Sequence, residues 1–207
     1  MLLHINDKNI HPNSIQQIVT CLKNGGIIIY PTDTVYALGC DITQVKAIER
    51  ICKLKNIKPE KSNFSFVCSN LSHLSSYCTA IPNHVFRVMK RALPGPYTFI
   101  LEANNNVPKL LKQNKKTIGI RVPDNEICQA IIEALGNPLI STSLHDTSDD
   151  ILDYFSDPEV IHENYQDKVD LVIDGGFGNI YPSTIIDCSM DEFVVVREGL
   201  GSLAVLS

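Results

Sequence analysis

One segment constrains the fold more than any other, an apolar run that ends abruptly in a cluster of small polar residues. It reads Gly25-Gly26-Ile27-Ile28-Ile29-Tyr30-Pro31-Thr32-Asp33-Thr34-Val35-Tyr36-Ala37-Leu38-Gly39-Cys40-Asp41. The β-branched run has too few polar positions for a solvated face, which predicts a buried strand. Pro31 cannot donate a hydrogen bond to a neighbouring strand, so regular pairing should stop there. A covered sheet with hydroxyls and a carboxylate at the end of this strand is therefore expected.

Polar groups at the carboxyl end of a strand are typical of ligand sites in open α/β sheets. On this segment alone, a turn of Thr and Asp is the simpler interpretation. The design recurs, however, in Thr117 with Arg121 and Pro123 and in Ser141-Thr142-Ser143; in addition, Pro182-Ser183-Thr184 opens a predicted strand, and Arg197 ends the last one. If these segments converge, they form a cavity lined by hydroxyls and two permanent cations, which suits a small carboxylate and a polyphosphate.

The order of predicted elements indicates the fold class. Helices are expected over 13–23 (capped by Asn13), 43–54, 71–77, 83–92, 125–135 (capped by Asp124) and 156–165, and strands over 27–30, 64–68, 97–101, 117–122, 169–174, 184–188 and 193–197. Because strands and helices interleave without a strict βαβ rhythm, we expect an α/β fold of the α+β type, with a mixed, curved sheet covered by helices. The 207 residues predict one domain over 1–207.

Composition narrows the function classes. The net charge of −5 disfavours nucleic acid as a partner unless the basic residues are segregated. Seven scattered cysteines without a C-x-x-C pair predict reduced thiols in a cytoplasmic protein, and the scattered histidines predict no metal site. No apolar run approaches the ~20 residues of a membrane span, so no membrane partner is expected. Without a Walker loop or a G-x-G-x-x-G motif, phosphates would have to be held by side chains and loop amides.

Four segments resemble, in order, the motifs of the YrdC-like threonylcarbamoyl-AMP synthases. They are the segment 25–41 quoted above, Pro94-Gly95-Pro96-Tyr97-Thr98, Ile118-Gly119-Ile120-Arg121-Val122-Pro123-Asp124, and Ser183-Thr184-Ile185-Ile186-Asp187 with Arg197-Glu198-Gly199. The resemblance implies a YrdC-like twisted mixed sheet whose concave face binds the substrates. It also implies the condensation of L-threonine, bicarbonate and ATP to threonylcarbamoyl-AMP and pyrophosphate, which serves the threonylcarbamoyl modification of adenosine in transfer RNA.

The resemblance further implies roles for individual residues. The positions that match family contacts to threonine are Thr34, Arg121, Ser141 and Ser183. Those that match family contacts to ATP are Lys61, Thr117, Ser143 and Arg197. Lys55 and Lys58 match the catalytic lysine-arginine motif of the family. Arg121 can hold the threonine carboxylate through charge-assisted bonds worth roughly 1.5–3 kcal/mol. ATP is expected as a substrate with Mg²⁺, and no tightly bound cofactor is expected. The structural alternative for each residue stays open: Arg121 can pair with a carboxylate of the protein, and the serines can cap local backbone.

Three departures from the family pattern resemble its YciO branch. Lys55-Asn56-Ile57-Lys58-Pro59 replaces Lys-x-Arg-Pro, Ser143-Leu144-His145 replaces Ser-x-Asn, and the acidic Asp146-Thr147-Ser148-Asp149-Asp150 replaces a loop rich in Ser, Gly and Pro. Either Lys58 takes the place of the arginine after a shift of one residue, or the second cation is absent. Since lysine cannot reproduce the planar fork of arginine, the ATP half of the site is expected to be impaired and the activity weak.

Two other functions remain open at this stage. The first is a non-catalytic module of the same fold that binds double-stranded RNA or transfer RNA, with Lys55, Lys58 and Lys61 as its basic patch. The acidic net charge and the lack of an Arg-rich stripe weigh against it. The second is a different chemistry in the same cavity, because fold alone does not fix function.

Overall fold

A computed structural model of the protein describes residues 1–59, 62–112, 116–144 and 154–206. Within these ranges, ten strands form one mixed sheet. The strands are β1 Leu2–His4, β2 Ile28–Tyr30, β3 Ala37–Asp41, β4 Ser65–Val67, β5 Tyr97–Glu102, β6 Thr117–Arg121, β7 Leu139–Ser143, β8 Leu171–Asp174, β9 Thr184–Asp187 and β10 Val194–Arg197. The helices are α1 Pro12–Lys23, α2 Val45–Leu54, α3 Leu71–Ser75, α4 Asn83–Ala92, α5 Lys109–Lys112, α6 Glu126–Leu135 and α7 Pro158–Tyr165. The predicted mixed sheet covered by helices is confirmed.

The strand order differs strongly from the order along the chain. It runs β1-β8-β2-β3-β7-β4-β6-β5-β9-β10. Strands β2, β3, β7 and β4 pair antiparallel in succession, whereas β4 with β6 and β5 with β9 are parallel pairs. As a result, residues far apart in sequence become direct neighbours: Ser65 pairs with both Ser141 and Gly119.

The two faces of the sheet are covered to different extents. One face packs on α2, α3, α4 and α7 in a large apolar core that contains Ile118 and Ile120 of β6. On the other face, α1 and α6 form a second core over β2, β8 and part of β7. Successive side chains of a strand alternate between faces, so Thr117, Gly119 and Arg121 of β6 lie on the second face. Beyond α1 and α6, this face carries polar residues.

Several predicted details of the elements are wrong. The short β1 and β3 were not expected; β3 is buried along its whole length, so it lacks the alternation that marks a half-exposed strand. The side chain of Asn125, rather than of Asp124, caps α6 by accepting from the Cys128 N–H at 2.9 Å. Helix α1 begins at Pro12, whose fixed φ suits the first helical position, and Asn13 lies inside it.

Two compositional predictions concern the core and the membrane. All the cysteines except Cys21 are buried, as expected of small core residues. Among the helices of the described ranges, none has both the length and the apolar character needed to span a bilayer.

Candidate functional site

The site is centred on a buried guanidinium at the end of β6. Arg121 Nη2 donates to Asp33 Oδ1 at 2.7 Å and to Thr34 Oγ1 at 2.9 Å. Both charged side chains are almost fully buried, at 9% and 7% exposure. Asp33 is fixed from its other oxygen, which accepts from the Asp124 N–H at 3.2 Å. Burial raises the pKa of the Asp33 carboxyl, and the positive charge of Arg121 acts against that rise.

Arg121 retains hydrogen-bonding capacity. Its Nε is buried and has no partner among the described residues. A buried N–H without an acceptor is costly, and a bound acceptor oxygen would remove that cost. The guanidinium is therefore held on one side by the protein and left with unused donors for a ligand.

Thr34 lies beneath this guanidinium. Its hydroxyl is 3.1 Å from Thr32 Oγ1, which itself donates to the Val35 carbonyl at 2.8 Å. Because the Thr32 hydroxyl donates its single proton to the Val35 carbonyl, the Thr34 hydroxyl must donate to Thr32 Oγ1. The Thr34 oxygen in turn accepts from Arg121 Nη2. Thr34 has no exposed surface. In this structure it therefore holds Arg121, and a direct contact between Thr34 and threonine stays a prediction.

A second cluster joins the predicted residues Ser183 and Arg197. Arg197 donates to the Ser183 carbonyl through Nε at 3.1 Å and Nη2 at 2.8 Å, and Nη2 lies 3.3 Å from Ser183 Oγ. Ser183 Oγ is also 2.8 Å from Thr98 Oγ1 on β5. Burial lowers the pKa of the Arg197 guanidinium, and the nearby charge of Arg121 lowers it further.

Ser141, Ser143 and Lys55 form a third group, on β7 and after α2. Ser141 Oγ accepts a hydrogen bond from the buried Tyr30 hydroxyl at 2.7 Å. Lys55 Nζ lies 3.4 Å from the Ser143 carbonyl oxygen. Burial lowers the pKa of the Lys55 ammonium, which is half-buried. The contact of Lys55 with Ser143 brings a predicted catalytic residue to a predicted ATP-site residue.

The altered lysine motif has a specific backbone geometry. Asn56 adopts φ +50°, the Ile57 N–H donates to the Cys52 carbonyl, and the Asn56 N–H donates to that of Lys53. This pair of bonds is a Schellman motif with asparagine in the left-handed position. It places Lys55 at the last turn of α2 and leaves Lys58 exposed in the following loop. Lys61, His145 and the acidic segment 146–150 lie outside the described residues.

A cavity of about 250 Å³ opens on the same face of the sheet. Its polar lining includes Thr117, Ser65 and Thr98, and its apolar lining includes Ile100, Leu111, Ile185 and Val196. A Cβ at Gly119 would lie 3.2 Å from Thr98 Cγ2 and 3.4 Å from Ser65 Oγ, so the glycine keeps the floor of the cavity open. Thr98 lines the cavity and contacts Ser183, which links the cavity to the arginine clusters.

Sequence reasoning did not single out Thr98, Ser65 or Tyr30 as site residues. A signal existed for the first two, because small polar residues alternate with apolar ones in Tyr97-Thr98-Phe99 and Phe64-Ser65-Phe66. The described parts of the chain contain no group of three or more His, Cys, Asp or Glu side chains that could hold a metal ion.

Comparison with known proteins identifies relatives of nearly full length. The family model for Sua5, YciO and YrdC proteins, described as telomere recombination, matches residues 20–199. The uncharacterized protein YciO of Escherichia coli (strain K12) is 46% identical over 200 residues, which cover 94% of this chain and 95% of that protein. The threonylcarbamoyl-AMP synthase of Halorhodospira halophila is 29% identical over 132 residues, covering 64% and 69%.

Two solved structures share the fold. The crystal structure of E. coli YciO superposes with a TM-score of 0.92 at 44% identity, and the match covers 100% of this chain and 99% of that one. Sua5 of P. abyssi in complex with L-threonine gives a TM-score of 0.87 at 25% identity, covering 96% of this chain and 57% of that one.

Proposed function

The chain belongs to the Sua5/YciO/YrdC family, and on this premise we propose that its concave face binds L-threonine and ATP and forms threonylcarbamoyl-AMP. In the proposed reaction the threonine amine and bicarbonate give a carbamate with loss of water. A carbamate oxygen then attacks the α-phosphorus of ATP, and pyrophosphate leaves. The product carries a threonylcarbamoyl group that can be transferred to adenosine in transfer RNA.

The observation that carries this proposal is the state of Arg121. A guanidinium that is buried, paired with Asp33 on one side and left with an unpartnered Nε is preorganised for a carboxylate. The sequence left open that Arg121 pairs with a carboxylate of the protein, and it does form an ion pair with Asp33. That ion pair uses only Nη2, however, which leaves the Nε–H as a donor for a ligand.

The neighbouring hydroxyls support an amino acid as the ligand. Ser141 and Ser183 are both buried to within a few per cent of their surface. A hydroxyl can donate to a carboxylate or accept from an ammonium or alcohol group. Threonine presents all three kinds of group within one small molecule. P. abyssi Sua5, which has the same fold, has been crystallised with L-threonine.

The cavity beside these residues supports ATP as the second substrate. Its apolar wall offers contact area to a nucleobase, and Thr117 provides a polar group at the rim. Arg197 is bonded to Ser183, and Lys55 lies at Ser143 on β7; their positive charge suits phosphates and would stabilise charge that develops at the α-phosphorus. Mg²⁺ would enter with ATP as part of the substrate.

The direct test is product formation. Purified protein is incubated with L-threonine, labelled bicarbonate and MgATP, and the label is followed into an AMP-linked product by chromatography and mass spectrometry. We expect slow formation that requires all three substrates and is lost in Arg121→Lys. The matched control is Arg50→Lys, which alters an exposed arginine paired with Asp170 at 3.1 Å. Label incorporation by the wild type no greater than that of Arg121→Lys would contradict the proposal.

A further inference from the structure

The Tyr30 hydroxyl contacts the site residue Ser141 although strand β3 lies between their two strands. Tyr30 lies at the end of β2 and pairs with Ala37 of β3, whereas Ser141 lies on β7, on the far side of β3. Its hydroxyl nevertheless donates to Ser141 Oγ at 2.7 Å. The ring has no exposed surface and packs in the core formed with α1 and α6.

A glycine makes this reach across β3 feasible. Gly39 pairs with Ser141, and a Cβ at Gly39 would lie only 2.9 Å from Tyr30 Cε1. Real Cβ atoms essentially never come so close, so any other residue at position 39 would force a shift of the Tyr30 ring and of the Ile140 carbonyl oxygen, which also lies 2.9 Å from that Cβ. The absence of a side chain at Gly39 and the position of the Tyr30 hydroxyl thus belong to one arrangement.

The bond fixes the direction of hydrogen bonding at Ser141. A serine hydroxyl carries one proton and two lone pairs, and Tyr30 occupies one lone pair. Burial raises the pKa of Tyr30 far above its ordinary value of 10, so the phenol keeps its proton and remains a donor. The proton of Ser141 is consequently left to point away from Tyr30. Among the described residues, no acceptor for that proton is found.

We propose that Tyr30 is a positioning residue, which holds Ser141 as a hydrogen-bond donor toward an acceptor oxygen of the bound amino acid. The inference rests on the proposed threonine site and adds a residue that does not itself touch the ligand. With Tyr30 in place, Ser141 is preorganised; without it, the hydroxyl can rotate and its donor direction is no longer fixed.

A double-mutant cycle tests this role. L-Threonine is titrated calorimetrically into the wild type, Tyr30→Phe, Ser141→Ala and the double variant. Because Tyr30 acts through Ser141, Tyr30→Phe should weaken binding about three- to tenfold in the wild-type background and leave the affinity of Ser141→Ala unchanged. The matched control is Tyr97→Phe, which removes another buried phenol whose hydroxyl donates to the Ser202 carbonyl at 3.0 Å on the other side of the sheet. It should bind threonine like the wild type.

The outcomes separate this inference from the proposed function. Equal threonine affinity in the wild type and Tyr30→Phe, with a loss in Ser141→Ala, would overturn the role of Tyr30 and leave the threonine site standing. An equal loss from Tyr30→Phe in both backgrounds would show a general structural effect and would also overturn it. No saturable binding by the wild type would refute the threonine site, and the positioning role with it.

Discussion

Arg121 and Asp33 form a buried ion pair, with 2.7 Å between Nη2 and Oδ1, although their strands are separated in the sheet by three others. Asp33 follows β2, and Arg121 ends β6, with β3, β7 and β4 between them. The segment after Pro31 and the Arg121 side chain must therefore together span the intervening strands β3, β7 and β4. The ion pair ties that segment to the centre of the sheet, where the proposed ligand would bind.

We expect the loss of Asp33 to be strongly destabilising. Removing one partner of a buried ion pair leaves an uncompensated charge, which costs about 3–5 kcal/mol. Asp33→Ala should lower the free energy of unfolding by that amount, as measured by urea denaturation at neutral pH. The control, Arg50→Ala, breaks a pair whose side chains are 45% and 41% exposed, and it should cost at most about 1 kcal/mol. An equal decrease in the free energy of unfolding in the two variants would show that the buried Asp33–Arg121 pair stabilises the fold no more than an exposed pair.

Arg197→Ala should weaken the binding of both ATP and threonine. Loss of its charge should reduce ATP affinity about tenfold or more, at ~1.4 kcal/mol per decade. Since Arg197 also donates twice to the Ser183 carbonyl, threonine affinity should fall as well. Calorimetry with each ligand measures both effects. Arg91→Ala, which removes an exposed arginine bonded to the Val205 carbonyl at 2.8 Å, is the control and should change neither affinity. Unchanged ATP affinity in Arg197→Ala would remove Arg197 from the nucleotide site.

Lys55 should give ATP binding a distinctive pH dependence. Burial lowers the pKa of its ammonium below the usual lysine value of 10.5, so the charge is lost at lower pH than in an exposed lysine. ATP affinity of the wild type should therefore decline as the pH rises toward 10.5. In Lys55→Arg the guanidinium stays protonated, and the decline should be smaller. Parallel pH profiles of the two proteins would show that the charge of Lys55 does not contribute.

The altered motifs should limit the rate of catalysis. Lysine at position 58 and histidine at position 145 replace an arginine and an asparagine of the resembled family, which would supply planar donors to the nucleotide. Lys58→Arg combined with His145→Asn should therefore speed formation of threonylcarbamoyl-AMP in a single-turnover assay, with the H. halophila synthase as standard. Wild-type turnover equal to that standard would show that Lys58 and His145 are adequate substitutes.

The sequence indicated which strand ends carry polar residues, but it did not indicate which of those ends meet in the folded chain. Each polar strand end was visible locally, because β-branched runs stop at small hydroxyl-bearing residues. The meeting of Asp33 with Arg121 was not visible, since it depends on a strand order that places β6 four positions from β2. The sequence leaves open that Arg121 pairs with a carboxylate of the protein, but nothing local identifies Asp33 as that carboxylate.

The end of α2, the cap of α6 and the contact of Tyr30 with Ser141 depend on backbone geometry, which residue types indicate only weakly. Asn56 could have suggested the end of α2, because asparagine tolerates the left-handed conformation. Asp124 and Asn125 are both good caps, and the residue types alone do not indicate which of the two side chains accepts from the first turn of α6; it is that of Asn125. The sequence predicts that Tyr30 lies in a buried strand, but its contact with Ser141 depends on β3, which places Gly39 between them.

Threonine binding tests most directly whether Arg121 forms a threonine site. L-Threonine is titrated calorimetrically into the wild type, Arg121→Lys and the control Arg50→Lys, with circular dichroism to verify that each protein is folded. Lysine retains a charge beside Asp33 but has no counterpart of the Arg121 Nε–H, the donor that is left for the ligand. The account predicts saturable binding by the wild type and Arg50→Lys and affinity at least about tenfold weaker in Arg121→Lys. Absence of binding by the wild type, or equal affinity in Arg121→Lys, would contradict it.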